Sequence, residues 1–321
     1  MSVLITGAAG FVGSALVREL LSRGETVIGV DSFTDYYSAD LKRANLAGLA
    51  GPNFRFHAVD LNQADLSEML EGITVVYHQA GQPGVRSSWG DEFEEYTRAN
   101  VSATQRLLEA ARSVAGLKRF VYASSSSVYG EAERYPTTEQ DRPQPRSPYG
   151  VTKLAAEHLC SLYAANFGIP TVSLRYFTVY GPGQRPDMAF TRFTRAAVSG
   201  REITLFGTGS QIRDFTFITD VVHANLLAAG SDCEPGSVFN VAGGSSVSIN
   251  EALELIEQIS GTKLKVRREP AVSGDVTRTG GATERIRKTL GWEPAVSIEE
   301  GLRAHVEWAR SMENPEHGTY S

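Results

Sequence analysis

The first half of the chain alternates short apolar runs with longer amphipathic stretches. Residues 3–5 (Val-Leu-Ile) read as a buried strand, and 11–23 follow with Val12, Ala15, Leu16, Glu19 and Leu20 at helical spacing. Apolar runs predict further strands at 26–30, 54–59, 75–78, 120–123 and 172–175, with helices near 65–70, 93–115 and 148–167. Strands that alternate with helices pair in parallel and carry helices on both faces of one sheet. The expected fold is therefore α/β, a doubly wound parallel sheet. The pattern changes after Thr178. A glycine- and proline-rich loop fills 181–186, and shorter elements follow, with helices expected near 190–199, 249–259, 283–290 and 298–310. Residues 313–321 read as a polar tail, and no internal repeat or low-complexity segment stands out.

Between the first strand and the first helix lies Gly7-Ala8-Ala9-Gly10-Phe11-Val12-Gly13. Small residues there let the backbone approach a pyrophosphate, whose charge then sits at a helix N-terminus. The strand before and the helix after are the context this Rossmann-type fingerprint requires. Phe11 and Val12 belong to the same turn and are expected against a dinucleotide. Asp31 ends the second strand, 18 residues beyond Gly13. A carboxylate there accepts hydrogen bonds from an adenosine ribose and repels a 2′-phosphate, which favours NAD over NADP. Asp60 and Leu61 follow the third strand and are placed at the adenine edge. Gln79, Ala80 and Gly81 follow the fourth and offer another close backbone approach. Both stretches also fit plain loops.

Tyr149 and Lys153 stand four residues apart on a predicted helix. A phenol with an ordinary pKa near 10 is a poor base at neutral pH, and an ammonium beside it favours the phenolate. A serine run, 124–127, ends the fifth strand, where side chains face the ligand crevice of a parallel sheet. A serine, a tyrosine and a lysine together make a proton path for oxidising an alcohol by hydride transfer.

The glycine turn, Asp31, the serine-rich strand end, Tyr149-x-x-x-Lys153 and Leu174-Arg175-Tyr176-Phe177 together resemble the extended short-chain dehydrogenase/reductase family. More closely, the chain resembles its NAD-dependent nucleotide-sugar 4-epimerases, from Val3 to about Arg310. The resemblance implies Ser125 as the catalytic hydroxyl and Tyr149 as the base. It implies that Lys153 lowers the tyrosine pKa and holds the nicotinamide ribose, with Asn100 and Tyr176 also at the cofactor. It divides the chain into an NAD-binding Rossmann domain, 1–178 with a returning segment 214–243, and a nucleotide-sugar-binding domain, 179–321. Related 4,6-dehydratases carry an Asp-Glu pair just after the catalytic hydroxyl, and UDP-glucuronate decarboxylases a glutamate before Val-Tyr-Gly. Here Ser126 and Ser127 stand in those places, so plain epimerisation is expected.

The stretch from Thr178 to Pro182, then Arg185 to Ala189, and Gly84-Val85-Arg86 resemble UDP-glucuronate 4-epimerases. Many UDP-glucose 4-epimerases carry asparagine at the position of Thr178. The resemblance places Arg86, Ser126, Ser127, Thr178, Arg185, Met188, Phe190 and Arg192 near the sugar, Phe206 on the uracil and Arg213 at the pyrophosphate. Arginine suits a substrate with a pyrophosphate and a carboxylate, because its planar fork pairs with both. Two departures stand out. Gly281-Ala282 replaces an Ala-Asp pair, which leaves the following helix cap absent or differently made. No arginine precedes Gly274-Asp275, where Val272 stands nearby, and Arg278 is the substitute phosphate ligand. The expected reaction is UDP-glucuronate to UDP-galacturonate through a 4-keto intermediate. UDP-glucose or a UDP-N-acetylhexosamine as the sugar, net oxidoreduction, and a non-enzymatic dinucleotide sensor remain alternatives.

Composition adds exclusions. The chain's 41% hydrophobic and 21% charged residues suit an ordinary globular protein, and a formal charge of -6 offers no basic field to nucleic acid. Cys160 and Cys233 give no disulfide framework and suit a reducing compartment. No apolar run approaches the roughly 20 residues of a membrane span. A first strand beginning at Ser2 is expected to leave no room for a signal peptide, so the cytoplasm is expected. The histidines lack metal-ligand spacing and no metal is expected; His78 and His158 read as structural. Helices 93–115 and 148–167 carry apolar residues on more than one face, and the resemblance implies a homodimer through them.

Overall fold

The computed structural model describes residues 1–270 and 276–313. Val272, Gly274, Asp275 and the tail beyond Glu313 lie outside the described residues. The first lobe runs β1 (Ser2–Thr6), α1 (Phe11–Ser22), β2 (Thr26–Asp31), α2 (Ala39–Leu46), β3 (Phe54–Ala58), α3 (Leu66–Met69), β4 (Val75–His78), α4 (Phe93–Tyr96), α5 (Ala103–Ala111), β5 (Arg119–Ser125), α6 (Pro148–Phe167) and β6 (Thr171–Tyr176). Then come β7 (Thr178–Tyr180), α7 (Ala189–Ser199), β8 (Glu202–Phe206), β9 (Ile212–Phe217), α8 (Ile218–Gly230), β10 (Ser237–Val241), β11 (Ser246–Ser248), α9 (Ile249–Ser260), β12 (Lys265–Glu269), α10 (Glu284–Leu290) and α11 (Ile298–Glu313).

Seven parallel strands form the main sheet in the order β10-β6-β5-β4-β1-β2-β3. This is the doubly wound α/β sheet the alternation predicts. Chain order reverses between β1 and β4, and ligands bind outside the carboxyl ends of strands at such a point. Leu16, Val17 and Leu20 of α1 pack on one face with Val221 and Ala224 of α8. Leu107 and Leu108 of α5 pack on the other with Ala156 and Cys160 of α6. A second core holds Phe190, Phe215, Phe217, Ile256, Leu302 and Val306, and joins α7, α9 and α11 to the three-stranded sheet β11-β9-β7.

One helix prediction needs correction. The stretch 93–115 is not one helix. It is α4, a π-helical turn over Thr97–Ser102, and α5, which ends at Ala111. The helix expected near 65–70 is present as α3 with Asp65 and Leu70 as its caps, Asp65 accepting the Ser67 and Glu68 N–H groups. Likewise α6 has the predicted bounds, set by its ends. Ser147 Oγ accepts the Gly150 N–H at 3.1 Å, Pro148 occupies the first turn, and Gly168 closes the helix in the left-handed conformation at φ 68°.

Candidate active site

A cleft of about 430 Å³ opens over the carboxyl ends of β1, β2, β4, β5 and β6. Its floor is the glycine turn. Gly7 has φ +68°, and a Cβ there would stand 2.7 Å from the Ala80 nitrogen. A Cβ on Gly13 would stand 2.0 Å from the Gly7 carbonyl oxygen, so α1 seats against β1 only through bare backbone. Gly81 is confined in the same way, 2.7 Å from Asn100 Oδ1 and 3.4 Å from Lys153 Nζ. Such a cradle, open to the N-terminus of α1, fits a dinucleotide diphosphate.

Asp31 accepts the Ala9 N–H at 3.1 Å and the Phe33 N–H at 2.8 Å, which ties the end of β2 to the glycine turn. Asp60 accepts the Asn62 N–H at 2.8 Å and pairs with Arg98 from the π-helical turn. Burial raises its carboxyl, but these partners outweigh that and hold it below the usual value. Gln79 and Tyr176 join through Asn225 of α8, with the Tyr176 hydroxyl 3.1 Å from Gln79 Oε1 and 2.9 Å from Asn225 Oδ1. Gly10, Phe11, Val12, Leu61, Ala80 and Gly81 line the cleft as well.

The chemical centre lies where β5 meets α6. Three successive residues of β5 face three turns of the helix. The Ala123 carbonyl accepts from Lys153 Nζ at 2.7 Å. Ser124 Oγ donates to Glu157 Oε2 at 2.6 Å. The Ser125 hydroxyl lines the cleft with the Tyr149 phenol, favours its phenolate, and accepts the Ser127 N–H at 3.1 Å. Behind them, Arg175 forms a buried pair with Glu157, Nη2 to Oε1 at 2.6 Å, and donates to the Tyr129 hydroxyl at 2.6 Å. Burial pushes Tyr149 above its ordinary 10.0, and the Ser125 hydroxyl and the Arg185 cation pull it back in part. Burial also brings Lys153 down to about 8. Lys153 meanwhile holds the Ala123 carbonyl from the next turn of the helix.

Ser126, Ser127, Thr178, Arg185 and Met188 line the same cleft. Arg185 is held bidentately by Asp187, at 3.0 and 2.9 Å. Other expected ligand residues stand elsewhere. Asn100 lies beneath the cleft, where its Oδ1 accepts the Gln82 N–H at 2.7 Å and its Nδ2 donates to Thr152 Oγ1 at 3.0 Å. From there it supports the Gly81 turn that the cofactor is expected to meet. Phe190 is a core residue, stacked on Phe215 with ring centroids 4.2 Å apart, so its side chain does not reach the sugar. Arg192 sits on α7 outside the cleft lining. Arg86 and Phe206 meet each other, the guanidinium 4.6 Å over the ring. Arg213 donates to the Ile212 and Val276 carbonyls, and Arg278 lies 4.9 Å over the Tyr135 ring. The helix after Gly281-Ala282 has no side-chain cap at Thr283. His78 is buried between Thr6 and Thr104, but His158 is exposed on α6. No group of three metal-ligating side chains occurs among the described residues.

Sequence reading passed over Tyr36, Tyr37 and Lys42, which line the cleft beyond Asp31. Lys42 Nζ donates to the Thr34 carbonyl at 2.6 Å, and the Tyr36 hydroxyl reaches Asp187 at 3.4 Å. The available signal was Ser38, which caps α2 by accepting the Asp40 N–H.

Residues 3–242 match the model of the NAD dependent epimerase/dehydratase family. The chain belongs to this family. It is 42% identical over 314 residues to an uncharacterized UDP-glucose epimerase of Bacillus subtilis, covering 97% of this chain and 99% of that protein. It is 37% identical over 317 residues to a UDP-glucuronate 4-epimerase of Thermodesulfobacterium geofontis, covering 96% and 95%. The UDP-glucuronic acid 4-epimerase of Bacillus cereus, solved with UDP-glucuronic acid and NAD, superposes with a TM-score of 0.94 at 41% identity, covering 97% of this chain and all of that one.

Proposed function

We propose that the protein is an NAD-dependent 4-epimerase of a UDP-sugar, converting UDP-glucuronate and UDP-galacturonate into one another. The observation that carries this reading is that Ser125, Tyr149 and Lys153 line one cleft with the neutral Ser126 and Ser127 beside them. Alcohol oxidation needs the first three. Elimination or decarboxylation would call for a carboxylic acid where the serines stand. The names of the Thermodesulfobacterium and Bacillus cereus relatives support glucuronate, and that of the Bacillus subtilis relative supports glucose as the second reading.

Gly7, Gly10, Gly13, Asp31 and Lys153 would hold NAD, which when bound supplies a hydride acceptor at C4 and returns the hydride. Tyr149 as phenolate takes the proton of the 4-hydroxyl, with Ser125 in the relay, and gives it back after the sugar has turned over. Arg213 and Arg278 would anchor the diphosphate while the sugar turns. For a glucuronate the 4-keto intermediate is a β-keto acid that loses carbon dioxide easily. Ser126, Ser127 and Thr178 are neutral donors able to hold the carboxylate out of line with the ketone.

The same reading assigns 1–178 and 214–243 to cofactor binding and 179–321 to the nucleotide sugar. It supports a homodimer through α4, α5 and α6, where Phe93, Val151, Leu162 and Phe167 are exposed. No described helix is long and apolar enough to cross a membrane, and the cytoplasm remains the proposed location. The test is to offer UDP-glucuronate and UDP-glucose separately, without added cofactor, and follow C4 stereochemistry by NMR together with carbon dioxide release. Epimerised UDP-glucuronate with no gas is expected. Steady absorbance growth at about 340 nm would instead mean net oxidation.

A further inference from the structure

Asp214 follows Arg213 on β9, points to the opposite face of the strand and is 2% exposed. A buried carboxylate is costly unless donors surround it. Here Oδ1 accepts the Gly243 N–H at 2.8 Å and Oδ2 accepts the Gly281 N–H at 3.2 Å. The Asp214 N–H in turn donates to Thr279 Oγ1 at 3.1 Å. Both glycines are needed for this approach. A Cβ on Gly243 would stand 1.8 Å from the Phe215 carbonyl oxygen, and one on Gly281 would stand 2.6 Å from the Phe177 ring. Asp214 does not line the cleft, so the chemistry above leaves it without a task.

What it holds is the segment 276–282, which carries Arg278. That segment lies along β9. The Ile212 N–H donates to the Thr277 carbonyl at 3.1 Å, and the Thr279 N–H donates back to the Ile212 carbonyl at 3.0 Å. Arg278 therefore pairs with Ile212, the residue before Arg213 on β9, and its guanidinium lies 4.9 Å over the Tyr135 ring. Arg213 donates to the Val276 carbonyl at 2.7 Å, and the Tyr135 phenol feels both cations. Two like charges set side by side repel, so the backbone carrying the second must be fastened. The segment is fastened elsewhere as well: Thr277 to Glu131, the Arg278 carbonyl by the Tyr135 hydroxyl at 2.9 Å, the Gly280 carbonyl by the Thr137 N–H at 2.7 Å, and the Ala282 N–H to the Thr137 carbonyl.

We propose that Asp214 is the positioning residue of a two-arginine anion clamp, holding Arg278 beside Arg213 so that both meet the diphosphate of the nucleotide sugar. This rests on the reading that the cleft takes a UDP-sugar. Asparagine at 214 offers one oxygen where the carboxylate offers two, and so releases one of the two glycines.

The test is UDP titration by calorimetry on the NAD-loaded full chain, in a cycle of Asp214→Asn, Arg278→Ala and the double variant. Asp214→Asn is expected to raise the Kd for UDP about tenfold, the effect of losing a hydrogen bond to a charged group. The KM for the sugar nucleotide rises with it, and kcat falls by a smaller factor. In the Arg278→Ala background the same change is expected to add nothing. Thr279→Val, which removes the acceptor of the Asp214 N–H, shifts binding the same way by a smaller factor. It carries the cycle if Asp214→Asn does not fold. Wild-type affinity in Asp214→Asn, or effects that multiply in the double variant, would overturn the proposal while the epimerase reading stands. Failure of the wild-type protein to bind UDP would overturn both.

Discussion

Tyr149 works against its own surroundings. Burial disfavours its phenolate, and Ser125 and Arg185 favour it. Tyr149→Phe is expected to lower turnover by about a thousandfold or more, since general acid–base catalysis contributes on that order, while UDP binding in a calorimeter stays intact. Arg185→Met removes a cation and leaves Asp187 unopposed, and both changes raise the Tyr149 pKa. The acid limb of kcat/KM then moves to higher pH, which a pH–rate profile reads directly. Glu157→Gln strands the Arg175 charge in the core and should cost about 3–5 kcal/mol in urea unfolding. At this scale the sequence showed which residue types could act, because Tyr149 and Lys153 are spaced by one turn of a helix and Ser125 ends a strand that the pattern predicts. It did not show where Arg86, Phe206 and Phe190 turn. Those directions are set by packing between segments far apart in the chain.

Among the elements, α1 shows how little room the cofactor cradle leaves. Gly13→Ala drives a Cβ into the Gly7 carbonyl, so α1 has to lift from β1. The expected result is at least tenfold weaker NAD binding, about 1.4 kcal/mol, read by fluorescence titration. Helix α6 was legible to the residue because Ser147, Pro148 and Gly168 are local signals. The break between α4 and α5 was not. Its π-helical turn brings Asn100 under Gly81, and its reason is the pair of bonds to Gln82 and the one to Thr152. These come from other elements and leave no mark on the periodicity of 93–115. Strands β8 to β12 were missed for a related reason. They are short, and all but β10, an edge strand of the main sheet, belong to small sheets, so neither a long apolar run nor strict alternation announces them.

For the molecule as a whole, two buried histidines govern the response to acid. Burial brings His78 and His305 down to about 3, from 6.5. The unfolded chain takes up protons below 6.5 that the folded one refuses, so stability is full above that pH and is lost as the pH falls toward 3. Each histidine contributes about 1.4 kcal/mol per pH unit in that window. Asp214 acts the other way. Burial raises its folded carboxyl to about 6, so between 6 and 3.8 the folded state gains from protonation and offsets one histidine. Asp220, also raised by burial, acts in the same sense as Asp214, and a net loss of stability is expected between pH 6 and pH 4, measurable by urea unfolding at each pH. The doubly wound sheet itself was legible from alternation, since six of its seven strands, all but β10, carry an apolar run that stands out in the sequence.

The stitching of Ala123 and Ser124 to Lys153 and Glu157 has a kinetic side. Because every rung joins a central strand to a helix through buried groups, neither partner can fray alone. Amide protons of β5 and the middle of α6 should therefore exchange with deuterium only when the whole chain opens, at one shared rate. The exposed β12 should exchange orders of magnitude sooner. On that view the proton relay is housed in the slowest-breathing part of the molecule, and the sugar turns over against a wall that does not move.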